Sequence, residues 1–309
     1  MLVASQPMEL RGIGKPICAA IGVFDGVHLG HQQVIQRMIL DARAHAAQTV
    51  VITFDRHPQS VVHPQSAPQL IYTLAHKLKT LASLGADATL LYHFDLEFSR
   101  QPAEEFVGRL VHECGTLRSL SVGTNFFFGH QRRGNLALLQ ELGARHGFNV
   151  NGLEPINNHG LVLSSTRIRQ HIQTGQLADA SQMLGRPYSV FSKVQMGDQL
   201  GRKLGFPTAN LDILDLLLPP LGVYTAHVLW QNKTYPAVLN LGNRPTLASP
   251  TPLPRLEVHL LDFTGDLYGQ ELEVIFGQKI REESKFASLA ALQTQITCDV
   301  ARAREILLK

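Results

Sequence analysis

Hydrophobic positions in the first half of the chain form short apolar runs separated by segments with helical spacing. Ile17 to Phe24, Thr49 to Phe54, Ala88 to Phe94 and Ser119 to Gly123 read as strands. Thr49 to Phe54 (TVVITF) is rich in β-branched residues, the signature of a strand buried on both faces. Between them, Val34, Ile35, Met38, Ile39, Ala42 and Ala46 repeat on one helical face. Leu70 to Leu84 shows the same spacing. Ala103 to Cys114 is amphipathic through Phe106, Val107, Leu110 and Val111, and Leu136 to His146 is a further helix. Strands alternating with helices predict an α/β fold with a parallel, doubly wound sheet.

Helical character ends near Leu184, and Gly185-Arg186-Pro187 marks a boundary. Beyond it the period shortens. Tyr188 to Met196, Val223 to Trp230, Tyr235 to Leu241, Leu256 to Phe263 and Glu271 to Phe276 read as strands, followed by a helix from Leu289 to Leu308. This spacing predicts a small antiparallel barrel with a C-terminal helix. The expected domains are residues 1–185 and 186–309.

Composition changes this picture little. A chain of 309 residues with 44% hydrophobic and 17% charged residues is ordinary for a globular protein and long enough for two cores. The net charge of +3 comes from scattered basic residues, so no nucleic-acid partner is expected. No apolar run approaches the ~20 residues of a membrane span, and the N-terminus lacks a signal-peptide layout. Cys18, Cys114 and Cys298 lie far apart without metal-ligand spacing, which suits a reducing, cytoplasmic setting. Oligomeric state is left open.

The chemistry gathers at strand ends. Gly22 to His31 reads GVFDGVHLGH, placing His28 and His31 where a strand passes into a helix. Open α/β sheets bind ligands there, and free backbone N–H groups with the helix dipole attract phosphate. Gly30 permits close backbone approach. Two polar residues in a surface turn is the alternative for the bare histidine pair, and a zinc site lacks an evident third ligand. Asp55-Arg56-His57-Pro58 is either a turn closed by Pro58 or a loop carrying His57 into the same crevice. Phe126 to Asn135 (FFFGHQRRGN) is either core or an anion-facing loop. In Leu161 to Arg169 (LVLSSTRIR), Ser164, Ser165 and Thr166 precede Arg167 and Arg169. They are N-cap residues or, with the helix N–H groups, a triphosphate grip.

In the second half, Gly197 to Leu211 (GDQLGRKLGFPTANL) carries Gly197, Gly201 and Gly205, a flexible loop or a phosphate wrap. Thr208 and Asn210 flank Ala209 and share a side in a strand. Their hydroxyl and amide oxygens suit Mg²⁺. Leu256, Val258 and Leu260 should face the core and Glu257 outward, as a solvated carboxylate or as a general base under a lid formed by the loop 247–255.

GVFDGVHLGH, VGTNFFFG and SSTRIR, in this order, resemble the adenylyltransferase module of bacterial bifunctional riboflavin kinase/FAD synthetases, a Rossmann-like HxGH nucleotidyltransferase. GFPTANL, GVYTAHV, NLGNRPT, LEVHLLDFTGDLYG and REESKF resemble the riboflavin kinase module of that family. The resemblance covers nearly the whole chain. It implies phosphorylation of riboflavin to FMN, then adenylylation of FMN to FAD, with ATP as co-substrate and Mg²⁺ as cofactor. Carried over, His28 and His31 act on the α-phosphate of ATP. Gly22, Phe24, Asp25, Gly30, Ser164, Thr166 and Arg167 bind that ATP, and Asn125 and His57 bind FMN. In the kinase module Glu257 is the base, Gly201, Gly205, Thr208 and Asn210 bind ATP, and Thr208 and Asn210 hold Mg²⁺. The partners implied are riboflavin, FMN and ATP, with no nucleic acid or membrane. Arg56 stands where the family often has proline, Asn125 where many members have aspartate, and Ser192 and Ala237 where glycine is frequent. Two alternatives remain open here: an FMN adenylyltransferase with an impaired kinase module, and a non-catalytic flavin-binding protein.

Overall fold

The computed structural model describes residues 1–158, 161–244 and 253–308. Contacts sort the chain into two compact units: Met1–Ile168 with Met183–Gly185, and Arg169–Gln182 with Arg186–Lys309.

The first unit runs β1 (Leu2–Ala4), β2 (Ile17–Ile21), α1 (Leu29–Ala44), β3 (Gln48–Phe54), α2 (Pro58–Val62), α3 (Leu74–Ser83), β4 (Ala88–Tyr92), α4 (Leu96–Ser99), α5 (Ala103–Cys114), β5 (Leu117–Gly123), α6 (Leu136–His146) and β6 (Asn149–Leu153). Its six strands are parallel, in the order β1-β4-β3-β2-β5-β6. Strand alternation feeds two cores. Ile17, Ala19 and Ile21 pack on one face with Val50, Ile52 and Leu120, while Cys18 and Ala20 face Val34, Met38 and Leu81 on the other. Sequence order reverses between β2 and β5, and the carboxyl ends of strands at such a switch point are where open α/β sheets bind ligands.

Val34, Ile35, Met38 and Ala42 form the buried stripe of α1. Ala46 does not join them. The helix ends at Ala44, and Ala46 sits exposed at φ 49° in the closing turn, where Ala47 N–H donates to Ala42 O at 2.8 Å. The predicted strand Ile17 to Phe24 also stops early, at Ile21. Phe24 takes the left-handed region (φ 52°) to turn the chain into α1.

After the strand pair β7 (Asn157–Asn158) and β8 (Leu161–Val162) come α7 (Ser165–Gln173) and α8 (Leu177–Leu184). The second unit is built on β9 (Ser189–Gln195), α9 (Leu200–Lys203), β10 (Ala209–Leu211), β11 (Gly222–Trp230), β12 (Lys233–Arg244), β13 (Leu253–Leu260), β14 (Glu271–Arg281) and α10 (Leu289–Leu307). The strands close as β10-β13-β12-β11-β14-β9, every pair antiparallel. Closure removes sheet edges. Leu239, Leu256, Val258, Leu272 and Val274 are fully buried. Val223 and Val238 form a second cluster with Ala303 and Val300 of α10. Ser192 and Ala237 sit in regular antiparallel ladders and neither has positive φ, so neither backbone requires glycine.

A buried ion pair is one of the ties between α10 and the barrel. Asp299, 4% exposed, accepts from Arg281 Nε at 2.9 Å and Nη2 at 2.8 Å, and from Gln295 Nε2 at 2.9 Å. Asp299→Ala strands the half-buried guanidinium, and the expected loss is about 3 kcal/mol of barrel stability. Urea unfolding followed by Trp230 fluorescence checks this. An unchanged midpoint would mean solvent replaces the carboxylate at no cost.

Candidate active sites

The first site forms where β2 passes into α1. Gly22, Val23 and Phe24 lead into a short 3-10 turn, Asp25–Val27, held open by positive φ at Phe24, Gly26 and Val27. His28 caps α1. Its Nδ1 accepts the backbone N–H of His31 at 3.3 Å, which places the proton of the neutral ring on Nε2. The rings of His28 and His31 stack at 3.6 Å with 16° between planes, and Phe24 meets His31 edge-on at 5.3 Å. A Cβ on Gly30 would press the His28 ring at 3.2 Å, so this glycine makes room for the histidine. Two parallel imidazoles over a helix N-terminus can donate together to one anion.

Asp25 is buried, and its carboxylate accepts the N–H groups of Ile71 and Tyr72 at 3.1–3.2 Å. It anchors the segment before α3. Ser165 Oγ donates to Asp25 O at 3.2 Å, which brings the start of α7 against the same turn. There Ser164 Oγ accepts Arg167 N–H at 3.4 Å, and Thr166 is exposed. Asn125 is exposed just beyond β5. His57 caps α2 beyond β3, its Nδ1 accepting Gln59 N–H at 3.2 Å. These two residues therefore sit past the strands that flank β2.

Sequence reasoning missed Lys77. Its buried Nζ donates to Phe54 O at 2.7 Å, and to Val23 O and Thr53 Oγ1 at 3.3 Å. The ammonium thus ties together the loops that follow β2 and β3. Burial pushes Lys77 down from 10.5 to about 8, opposed by the charges of Asp25 and Asp55. Asp55 is itself partly buried, which acts to raise it. The N–H of Phe94 and the ring of His93, 2.6 Å away, outweigh burial and lower it.

The Lys77 shift has a pH consequence. Between about 8 and 10.5 the unfolded chain keeps the lysine proton and the folded chain has lost it. Stability from this group therefore rises with pH across that window. The wild type should gain about 3 kcal/mol on Lys77→Met through the window, since each pH unit is worth about 1.4 kcal/mol. Paired urea titrations at several pH values test this; a difference that stays constant with pH would show the lysine titrating as in solvent.

The second site lies around β10 and β13 of the barrel. Register places Asn210, Glu257 and Asn240 in one cross-strand row, with Ala209, Val258 and Leu239 on the core side. Leu256, Val258 and Leu260 are buried and Glu257 is half-buried, the alternation the sequence predicts. Glu257 and Asn240 line a cavity of about 300 Å³ with Val223, Val238, Ile296 and Val300. A second cavity, of about 520 Å³, is bounded by Asn210, Arg202, Phe263 and Tyr268. Thr208 lines both.

Gly201 serves close packing and Gly205 a backbone turn. Gly201 lies inside α9, where a Cβ would strike the backbone oxygen of Phe206, and Gly205 ends the turn at φ 89°. His259 Nδ1 lies 2.8 Å from Pro207 O, holding the loop on β13. Asn210 Oδ1 accepts Arg255 Nε at 2.8 Å, a partner the sequence did not suggest. Asn240 was also missed. It belongs to the NLGNRPT motif, and only strand register shows it beside Glu257. Residues 247–252 of the expected lid lie outside the described residues.

With these sites described, comparison with known proteins places the chain. Residues 12–167 match the FAD synthetase family and residues 184–307 the riboflavin kinase family. The bifunctional riboflavin kinase/FMN adenylyltransferase of Pseudomonas fluorescens is 39% identical over 298 residues, covering 96% of this chain and 95% of its own. Its Escherichia coli K12 counterpart is 38% identical over 286 residues, covering 92% and 91%. A crystal structure described as a macrolide-efflux protein from Streptococcus pneumoniae is 27% identical, covers 98% of both chains and superposes with a TM-score of 0.79. Among the described residues no helix is long and apolar enough to cross a membrane. Both halves and the full-length relatives agree: the chain belongs to the bifunctional riboflavin kinase/FMN adenylyltransferase family.

Proposed function

We propose that the barrel unit phosphorylates riboflavin to FMN with ATP, and that the α/β unit then joins AMP from ATP to FMN, giving FAD and pyrophosphate. The division falls near residue 185. The observation that carries the second reaction is the stacked His28–His31 pair at the N-terminus of α1, with the start of α7 held on the same turn through Ser165. A phosphate oxygen of FMN attacks the α-phosphorus of ATP, and the bond to the β-phosphate's bridging oxygen breaks. His28 and His31 donate to the oxygens on which charge builds. Ser164, Thr166, Arg167 and the helix N–H groups hold the triphosphate, with Gly22, Phe24 and Gly30 shaping its floor. Asp25 contributes by fixing the turn. Asn125 and His57 face the flavin nucleotide from the neighbouring strand ends. Positioning and electrostatics suffice for such a transfer without a covalent intermediate.

For the kinase, the supporting geometry is Thr208 between the two cavities with Glu257 in the smaller one. The nucleotide takes the larger cavity. Riboflavin takes the smaller, whose walls include Val223, Val238 and Val300. The 5′-hydroxyl oxygen attacks the γ-phosphorus, its proton passes to Glu257, and ADP leaves. Gly201 and Gly205 shape the loop over the phosphates. Asn210, opposite Glu257, and Thr208, two residues before it, offer neutral hard oxygens. Such a set fits Mg²⁺, which takes few protein ligands when a triphosphate supplies the rest. When bound, the cation neutralises charge on the phosphates. The test is incubation with riboflavin or FMN, each with ATP and Mg²⁺, followed by chromatography. FMN and FAD should both appear from riboflavin. FAD from FMN alone would leave only the adenylyltransferase, and no conversion of either would leave a flavin-binding protein.

A further inference from the structure

We propose that Arg255 is a built-in competitor for the cation of the barrel site, holding the metal-facing oxygens until the metal–nucleotide complex displaces it. This rests on the kinase reading above. Arg255 and Glu257 lie two apart on β13 and so share the outer face. The Arg255 guanidinium donates through Nε to Asn210 Oδ1 at 2.8 Å, and the same nitrogen lies 3.4 Å from Glu257 Oε1. Its Nη1 bonds Asp198 Oδ2 at 2.8 Å, in the glycine-containing loop before α9. One positive charge thus sits on an oxygen assigned to Mg²⁺ and beside the carboxylate assigned as base.

A guanidinium and a divalent cation on one amide oxygen repel each other, so both cannot stay. Asp198 gives the arginine another place to be. The side chain can leave Asn210 and keep its ion pair at the other end of the guanidinium. Arg255 also holds the Asn210 amide with its oxygen, not its nitrogen, toward the site, because only the oxygen can accept. The Asn210 oxygen is kept engaged and oriented, and the cation must be strong enough to evict the arginine. The triphosphate that accompanies it supplies that strength.

The probe is Mn²⁺, read by loss of the free-ion electron paramagnetic resonance signal, with full-length protein alone and with ADP. Arg255→Gln removes the charge and is expected to tighten Mn²⁺ binding by roughly three- to thirtyfold, the range for one nearby like charge at a partly exposed site. Arg255→Lys keeps the charge and should bind as the wild type does. Adding Asn210→Ala to Arg255→Gln should abolish the gain. Unchanged or weaker binding in Arg255→Gln overturns the proposal and makes the arginine a positioning residue. A gain that survives Asn210→Ala overturns it as well, because the competition then lies elsewhere. Failure of the kinase reading looks different: the wild type would form no FMN from riboflavin, whatever its Mn²⁺ affinity.

Discussion

His31→Ala is expected to lower FAD formation from FMN by about 10²–10³-fold while FMN formation from riboflavin stays at the wild-type rate. That scale is typical for removing one preorganised donor from a developing anion. The ring of His31 stacks on His28 and is braced edge-on by Phe24, so it is held before any substrate arrives. The backbone N–H of His31 caps onto His28 Nδ1 and survives the substitution, which keeps the start of α1 intact. The loss should therefore fall mainly on kcat. Equal losses in both reactions would mean that the substitution unfolds the chain or that the reactions are not divided between the units. A loss confined to KM would make His31 a binding group only.

Glu257→Gln should produce the mirror image. FMN formation is expected to fall by about 10²–10⁴-fold, the usual contribution of a positioned general base, and FAD formation from supplied FMN should be unaffected. Glutamine keeps the shape and the acceptor oxygen beside Arg255, so folding of β13 is preserved. Chromatography of reactions started from riboflavin and from FMN reads both arms at once. Retention of wild-type FMN formation would remove Glu257 from the chemistry and leave it as a cross-strand neighbour of Asn210 and Asn240.

Much of the architecture is legible because burial imposes periods. Cys18 and Ala20 against Ile17, Ala19 and Ile21 separate the two cores of a doubly covered sheet. Leu256, Val258 and Leu260 against Glu257 announce a barrel strand with one wet face. The edge strands escaped for the same reason. β1 has three residues, and β6, Asn149–Leu153, is polar with no fully buried position, so neither carries a hydrophobic pattern. α2 and α4, with five and four residues, are too short to show a helical period.

The sites divide in a similar way. His28, His31, Ser164 and Glu257 are readable because each stands in a local pattern: a helix start, a cap, a strand alternation. Lys77 is not, because its partners Val23 and Phe54 are 54 and 23 residues away and nothing local distinguishes it from a solvent-facing lysine. The Asp25 carboxylate accepts the N–H groups of Ile71 and Tyr72, contacts that its motif does not show. The missing Cβ of Gly30 makes room for the His28 ring, a packing that its motif does not show. Contacts between distant segments are what a local motif leaves out.

The cross-strand row of Asn210, Glu257 and Asn240 has a consequence for how this barrel can change over time. A slip of β13 by one residue would turn Glu257 inward and Leu256 outward. The barrel would lose its filling and its proposed base in the same event. Drift in the core is thus screened first by folding, and any variant that still closes the barrel keeps the three polar side chains aligned. Positions on the outer face can then vary one by one without putting closure at risk.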